Sequence, residues 1–169
     1  MKIILFRGRP GTGKTTLTHA FAEKSHFPVI RKDDIYDPVT EYVTEHSSRN
    51  KLSHTILYKI LQSNIHSDVT FILDFAFQNP QDFSIIKNWC SERNVDFKFI
   101  LVTCSDEGIW AERFNKRAEN PAPNQLIKNF DDLKKHYGTM QLVPEQSELL
   151  VDTIQSVEEI MSKVLEYTA

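Results

Sequence analysis

Apolar residues along the chain fall into short unbroken runs, and between the runs they recur at helical spacing. Ile3-Ile4-Leu5-Phe6 lies within a strand expected at about Lys2 to Arg7. A run that short and continuous marks a strand covered on both faces. Phe27-Pro28-Val29-Ile30 predicts a short second strand, leading into Arg31-Lys32-Asp33-Asp34, read as a loop with two carboxylates. Val69 to Asp74 is a third strand ending in a single acid, Val95 to Thr103 a fourth, and Leu149 to Ile154 a fifth. Helices are expected over Lys14 to Ser25, through Leu52, Ile56, Leu57, Ile60, Leu61 and Ile65, and through Phe83, Ile86, Trp89 and Cys90. Ile109, Trp110 and Phe114 mark another, which Asn120-Pro121-Ala122-Pro123-Asn124 breaks. A helix restarts with Leu126, Ile127, Phe130, Leu133 and Tyr137, and a last one spans Val157 to Leu165. Alternating strand and helix predicts an α/β fold, a doubly wound parallel sheet of about five strands with helices on both faces. Ligands then gather at the carboxyl ends of the strands.

The first of those ends carries the most specific chemistry in the chain. Of five glycines in all, Gly8, Gly11 and Gly13 fall within "RGRPGTGKTT", residues 7–16. Gly8, Gly13, Lys14 and Thr15 fill the spacing G-x-x-x-x-G-K-[ST] between a strand and a helix, where a phosphate-binding P-loop belongs. Bare backbone lets successive N–H groups converge on phosphate oxygens. Lys14 reaches the β and γ phosphates, the Thr15 hydroxyl joins the shell of a Mg²⁺ ion, and the start of the helix adds its positive end. Pro10, Gly11, Thr12 and Thr16 complete the expected cradle, with ATP and Mg²⁺ as ligands.

At 169 residues, 40% hydrophobic and 25% charged, the chain suits one domain, residues 1–169. The apolar N-terminal stretch is too short for a signal peptide or a membrane span, so a cytoplasmic protein is expected. Cys90 and Cys104 show no CxxC spacing and read as reduced thiols, and the six histidines form no metal-ligand pattern. Net charge is −3, unevenly spread: residues 1–32 hold seven Lys/Arg against Glu23 alone, while residues 145–169 hold six acids against Lys163. An acidic chain argues against broad nucleic-acid binding, although a basic cleft around the cradle can hold a strand end.

Elimination narrows the chemistry. Guanine-reading switch proteins need Asn-Lys-x-Asp, and Asn115-Lys116-Arg117-Ala118 lacks the acid. Motor-type ATPases place a glutamate after the strand-end aspartate, but Phe75 follows Asp74. Transfer to an acceptor other than water remains, and it requires a base, a metal site and positive charge from a flap. Asp33 or Asp34 can take a hydroxyl proton, Thr15 and Asp74 can hold Mg²⁺, and Arg113 and Arg117 can close over the phosphates from a lid at about 113–124. The plainer alternatives are a helix N-cap for Asp33-Asp34 and a solvated basic face for the arginines.

The motifs "GRPGTGKTT", "RKDD", "FILDFAFQNP" and "RFNKR", in this order, resemble the small P-loop kinase family that includes the kinase domain of phage polynucleotide kinase, over roughly residues 2–140. The resemblance implies that Asp33 is the base, that Arg117 meets the ATP phosphates, and that a base-binding loop lies at Pro144 to Glu148. Two departures stand out. Tyr36 replaces an arginine that holds a substrate 3′ phosphate, and Phe75-Ala76 replaces a polar Thr-Asn. These favour a small hydroxyl acceptor of nucleoside, sugar or antibiotic type, with Asp33, Asp34, Tyr36, Asp74 and Phe75 around it. A polynucleotide 5′-hydroxyl kinase and a non-catalytic nucleotide-binding regulator are the alternatives.

Overall fold

The computed structural model describes all 169 residues. The chain runs β1 (Lys2–Arg7), α1 (Lys14–Ser25), β2 (Val29–Arg31), α2 (Lys32–Val39), α3 (His46–Ser63), β3 (Thr70–Asp74) and α4 (Pro80–Glu92). It continues through β4 (Asp96–Thr103), α5 (Glu107–Ala118), α6 (Phe130–Tyr137), β5 (Leu149–Asp152) and α7 (Val157–Thr168). Five strands form one wholly parallel sheet in the order β2-β3-β1-β4-β5. The doubly wound sheet expected from the sequence is therefore the fold.

Alternation along β1 divides the core. Ile3 and Leu5 face α3 and α4, packing with Leu57, Leu61, Phe83 and Ile86. Ile4 and Phe6 face α1 and α7, packing with Leu17, Phe21, Ile160 and Val164. All four β1 residues are inaccessible to solvent, which is why the run contains no polar residue. A third cluster joins Trp110 and Phe114 of α5 to Phe130 and Leu133 of α6 beside the cleft.

The helices start where their sequences can satisfy free N–H groups. Asn79 accepts from Gln81 N–H ahead of Pro80, and Asp106 accepts from Ile109 N–H. Ser156 and Glu159 form a reciprocal capping box at α7. Several boundaries differ from expectation. Arg31 to Asp34 is not a loop: Arg31 ends β2 and caps α2, placing Asp33 and Asp34 in its first turn. Pro38 lies near the end of α2, so it removes one hydrogen bond without preventing the helix. Leu126 and Ile127 precede α6 rather than belonging to it.

Register sets the site. Phe6 and Arg31 both pair with Asp74, so the ends of β1, β2 and β3 lie nearly level, while Arg7 pairs with Leu101 and β4 runs two residues beyond it to Thr103. Chain order changes side at β1, which lies between β3 and β4, and the crevice opens above that switch.

Candidate active site

The loop from Gly8 to Gly13 owes its shape to backbone freedom. Gly8 has φ 147°, and a β-carbon there would lie 2.3 Å from the Val102 carbonyl oxygen. Gly13, with φ 95°, immediately precedes α1, in a left-handed conformation that an L side chain resists. The loop is braced from outside. Trp110 Nε1–H donates to the Pro10 carbonyl at 2.8 Å, and Thr153 Oγ1 donates to the Thr12 carbonyl at 2.9 Å. The Gly8 amide donates to the Ala76 carbonyl, and the amides from Gly11 to Thr15 make no backbone hydrogen bond, leaving them free for an anion. Thr12 itself is buried and donates to the Arg9 carbonyl.

Lys14 Nζ donates to the same Arg9 carbonyl at 2.9 Å. Burial pushes its ammonium down to about 8, opposed by Asp74 and Asp33 and assisted by Arg117 and Lys32. Thr15 Oγ1 donates to Asp74 Oδ2 at 2.7 Å, and Arg31 Nε lies 3.8 Å from the same oxygen. A hydroxyl and a carboxylate, held together at the loop, form the hard-oxygen donor pair that Mg²⁺ accepts alongside phosphate oxygens. No group of three or more His, Cys, Asp or Glu side chains is placed to hold a metal, here or elsewhere in the chain.

Two cavities meet at this point. The first, about 820 Å³, is lined by Gly11, Gly13, Thr16, Arg113 and the segment from Thr153 to Val157. The second, about 430 Å³, is lined by Pro10, His46, Asn50, Asp74, Gln78, Phe114, Asn124 and the following residues to Ile127. Lys14, Thr15, Asp33 and Arg117 line both. Asp33 therefore stands on the partition, its Oδ1 accepting from Asn124 Nδ2 at 2.7 Å and its Oδ2 lying 3.8 Å from Arg117 Nη2. Asp37, on the first cavity's wall, is held above the usual carboxylate range by burial and by Asp33.

Other expected residues lie elsewhere. Asp34 turns about 100° from Asp33 around α2, so its 61% exposed carboxylate meets Arg31 at 3.2 Å and borders only the first cavity. It accepts no capping bond, so the N-cap alternative fails for both aspartates. Tyr36 is wholly buried, packed between α2 and α3 with its hydroxyl on His46 Nδ1. Phe75 is 1% exposed and belongs to the core. Neither side chain touches the second cavity; Asn50 and His46, joined at 2.8 Å, form that wall instead.

Arg113 is also not a free lid group. Its two terminal nitrogens donate to Thr153 Oγ1 and to the Thr153 carbonyl at 2.9 and 3.1 Å, fixing α5 to the end of β5. Arg117, one turn further on and 43% exposed, places its guanidinium on the partition, 3.8 Å from Asp33 Oδ2.

The expected base-binding segment is at the wrong end of its strand. Pro144 to Glu148 precedes β5, where Glu145 and Glu148 bond to Lys87 and Arg7, whereas a parallel strand offers its carboxyl end to ligands. Thr153 to Ser156 occupies that place. Arg31, Lys32, Gln78 and Asn124 fall within motifs visible in the sequence, whereas His46 and Asn50 carry no local signal.

Comparison with known proteins agrees with this fold. A family model described as AAA domain matches residues 3–138. Among curated proteins, none matches the chain. A candidate kinase from Chloroflexus aurantiacus superposes with a TM-score of 0.77 at 20% identity, covering 98% of this chain and 97% of that one. A gluconokinase from Sinorhizobium meliloti gives 0.66 at 20% identity, with 98% and 90% covered. An APS kinase from Mycobacterium tuberculosis, solved with AMPPNP and APS, gives 0.67 at 12% identity, with 99% and 96% covered. At these identities the likeness is one of fold.

Proposed function

This chain belongs to the AAA domain family, and from that premise we propose that it is an ATP-dependent phosphotransferase acting on a hydroxyl of a small molecule. The observation that carries the reading is the position of Asp33, on the partition between the phosphate-loop cavity and a second cavity. A protein that only bound nucleotide would need one cavity. The sugar-acid and APS kinases among its structural neighbours support the same reading.

ATP lies with its phosphates on the Gly8 to Thr15 loop and its base towards Thr153 to Val157. The acceptor enters the 430 Å³ cavity with its hydroxyl at Asp33. The acceptor oxygen bonds to the γ phosphorus as the bond from that phosphorus to the β–γ bridging oxygen breaks. ADP leaves with that electron pair, and Asp33 takes the hydroxyl proton. Lys14 and Arg117 meet the charge on the transferring oxygens from two sides. Thr15 and Asp74 would hold Mg²⁺, which supplies charge neutralisation on the β and γ phosphates. Two aromatic side chains, Phe114 and Tyr137, supply apolar lining to the acceptor cavity.

A screen of sugars, sugar acids, nucleosides, antibiotics and short oligonucleotides for acceptor-dependent ADP release tests the proposal. Release with at least one small acceptor, lost in Asp33→Asn, is expected. ATP binding with turnover indifferent to every acceptor leaves the nucleotide-binding regulator as the reading.

A further inference from the structure

A third cavity, about 690 Å³, continues from the acceptor cavity away from the phosphate loop, sharing Lys32, Asn50, Ala76, Gln78 and Tyr137 with it. Its charge is unusual for a chain of net charge −3. Arg9, Lys32 and Lys51 line it against one acid, Asp82, and burial together with Lys32 pulls His54 below its ordinary value, towards the neutral form.

None of those three cations has a carboxylate within 4 Å; Lys51 is exposed, whereas Arg9 and Lys32 are partly buried. Arg9 has only neutral partners: Gln78 Oε1 and the Thr139 carbonyl, each at 3.0 Å, and the Tyr137 ring 4.0 Å from its guanidinium carbon. Its Nε is buried without a partner. Lys32 makes no hydrogen bond, and its ammonium lies 5.6 Å from the Tyr36 ring centre. By contrast, the buried Arg7 is closed bidentately on Glu148 at 2.6 and 2.7 Å. Burial penalises charge on both Arg9 and Lys32, lowering each below its usual value. A desolvated cation kept without an anion is costly unless a ligand supplies one.

We propose that the acceptor carries an anionic group, a carboxylate or a phosphate monoester, which docks in this distal cavity on Arg9 and Lys32 while the reacting hydroxyl lies at Asp33. The hydroxyl half rests on the phosphotransferase reading; the anion half does not. Lys32 and Asp33 are consecutive on α2, so their side chains diverge by about 100°. Lys32 faces the acceptor and distal cavities, and Asp33 the acceptor and nucleotide cavities. One short helix thereby sets the distance between anion and hydroxyl, and selects acceptors by length as well as charge.

The test begins with binding. Protein loaded with Mg²⁺ and AMPPNP, which fills the phosphate loop, is titrated calorimetrically with inorganic phosphate. One further site is expected, weakened at least tenfold in Arg9→Gln and in Lys32→Gln. Lys32→Gln breaks no hydrogen bond or ion pair and so remains informative if loss of the Arg9 contacts unfolds the chain. Absence of the site, or indifference to both substitutions, overturns the proposal.

Matched acceptors form the second arm: a sugar acid against its polyol, a nucleoside 3′-monophosphate against its nucleoside, and a short oligonucleotide. The expected kcat/KM is at least tenfold higher for the acid of one pair, with the preference collapsing in Lys32→Gln; which pair responds tells carboxylate from phosphate. Equal use of charged and neutral partners overturns the anion site and leaves the kinase reading standing. Phosphate binding retained with no acceptor phosphorylated supports the anion site and defeats the kinase reading. Preference for the oligonucleotide over the nucleoside 3′-monophosphate overturns the small acceptor in favour of a strand end.

Discussion

Asn124 donates its side-chain amide to Asp33 Oδ1 at 2.7 Å, latching the loop after α5 onto the carboxylate that stands between the two cavities. An entering hydroxyl competes with that amide for the same oxygen. Asn124→Ala should therefore lower the acceptor KM or leave it unchanged, and raise the rate at which the loop exchanges its amide hydrogens. Steady-state kinetics with hydrogen exchange over 119–129 checks both.

Asp33 and Asp34 should separate cleanly. Removal of a general base costs about two to four orders of magnitude in rate, so Asp33→Asn should be nearly silent while binding ATP normally. Asp34 meets only Arg31, at a largely exposed site, so Asp34→Asn should cost about 0.2–1 kcal/mol or less and keep most activity. Measured kcat and melting temperature for each decide the matter; a silent Asp34→Asn transfers the base to Asp34.

The two arginines of α5 should fail in different ways. Arg117→Ala should lower kcat more than it raises the KM for ATP, because charge on the transferring phosphoryl group is met in the transition state. Arg113→Ala breaks two bonds to Thr153 and should destabilise by roughly 1–3 kcal/mol, loosening the nucleotide cavity wall. An Arg113→Ala protein with wild-type melting and reduced kcat would return Arg113 to the lid.

The Lys14 ammonium gives the nucleotide affinity a pH dependence of known sign. In the free protein it titrates at about 8, and bound phosphates raise that value. Below pH 8 the lysine is charged in both states and affinity is full. Above it the free protein loses the proton first, and ATP binding weakens by up to about tenfold per pH unit. Unliganded stability moves oppositely, since the unfolded lysine stays protonated to about 10.5 and the unfolded chain binds more protons between the two values. Affinity for AMPPNP from pH 7 to 9.5 should fall for the wild type and lie flat for Lys14→Ala, which should also lack transfer.

Gly8→Ala tests the cradle without touching a charge. Its β-carbon would meet the Val102 carbonyl at 2.3 Å, and the strain should cost on the order of 2–3 kcal/mol, about 4–12 °C in melting temperature. Gly138 also has a positive φ, 65°, but nothing lies within 4 Å, so Gly138→Ala should cost only about 1 kcal/mol.

What could be read in advance followed the range of the interactions. The phosphate loop was legible because Gly8, Gly13, Lys14 and Thr15 satisfy a constraint within eight residues, and β1 because burial on both faces excludes polar residues. Asp33 was legible because it lies at a strand end, where a parallel sheet collects ligands. Tyr36 was misplaced because its burial depends on α3, ten residues further on, whose His46 takes its hydroxyl. Phe75 was misplaced because the residue after a strand-end acid turns into the core or the cleft according to α4. The nucleotide wall at Thr153 escaped notice because a three-centre arrangement of Thr12, Thr103 and Arg113 around one hydroxyl leaves no trace in sequence spacing.

Trp110 and Thr153 hold the Pro10 and Thr12 carbonyls from outside the loop. Ordering a free glycine-rich loop would consume about 1–2 kcal/mol per residue fixed, and here that entropy is spent during folding rather than on ligand arrival. In the proposed phosphotransfer, ADP would leave a cradle that keeps its shape, and the next ATP would meet a receptor already formed.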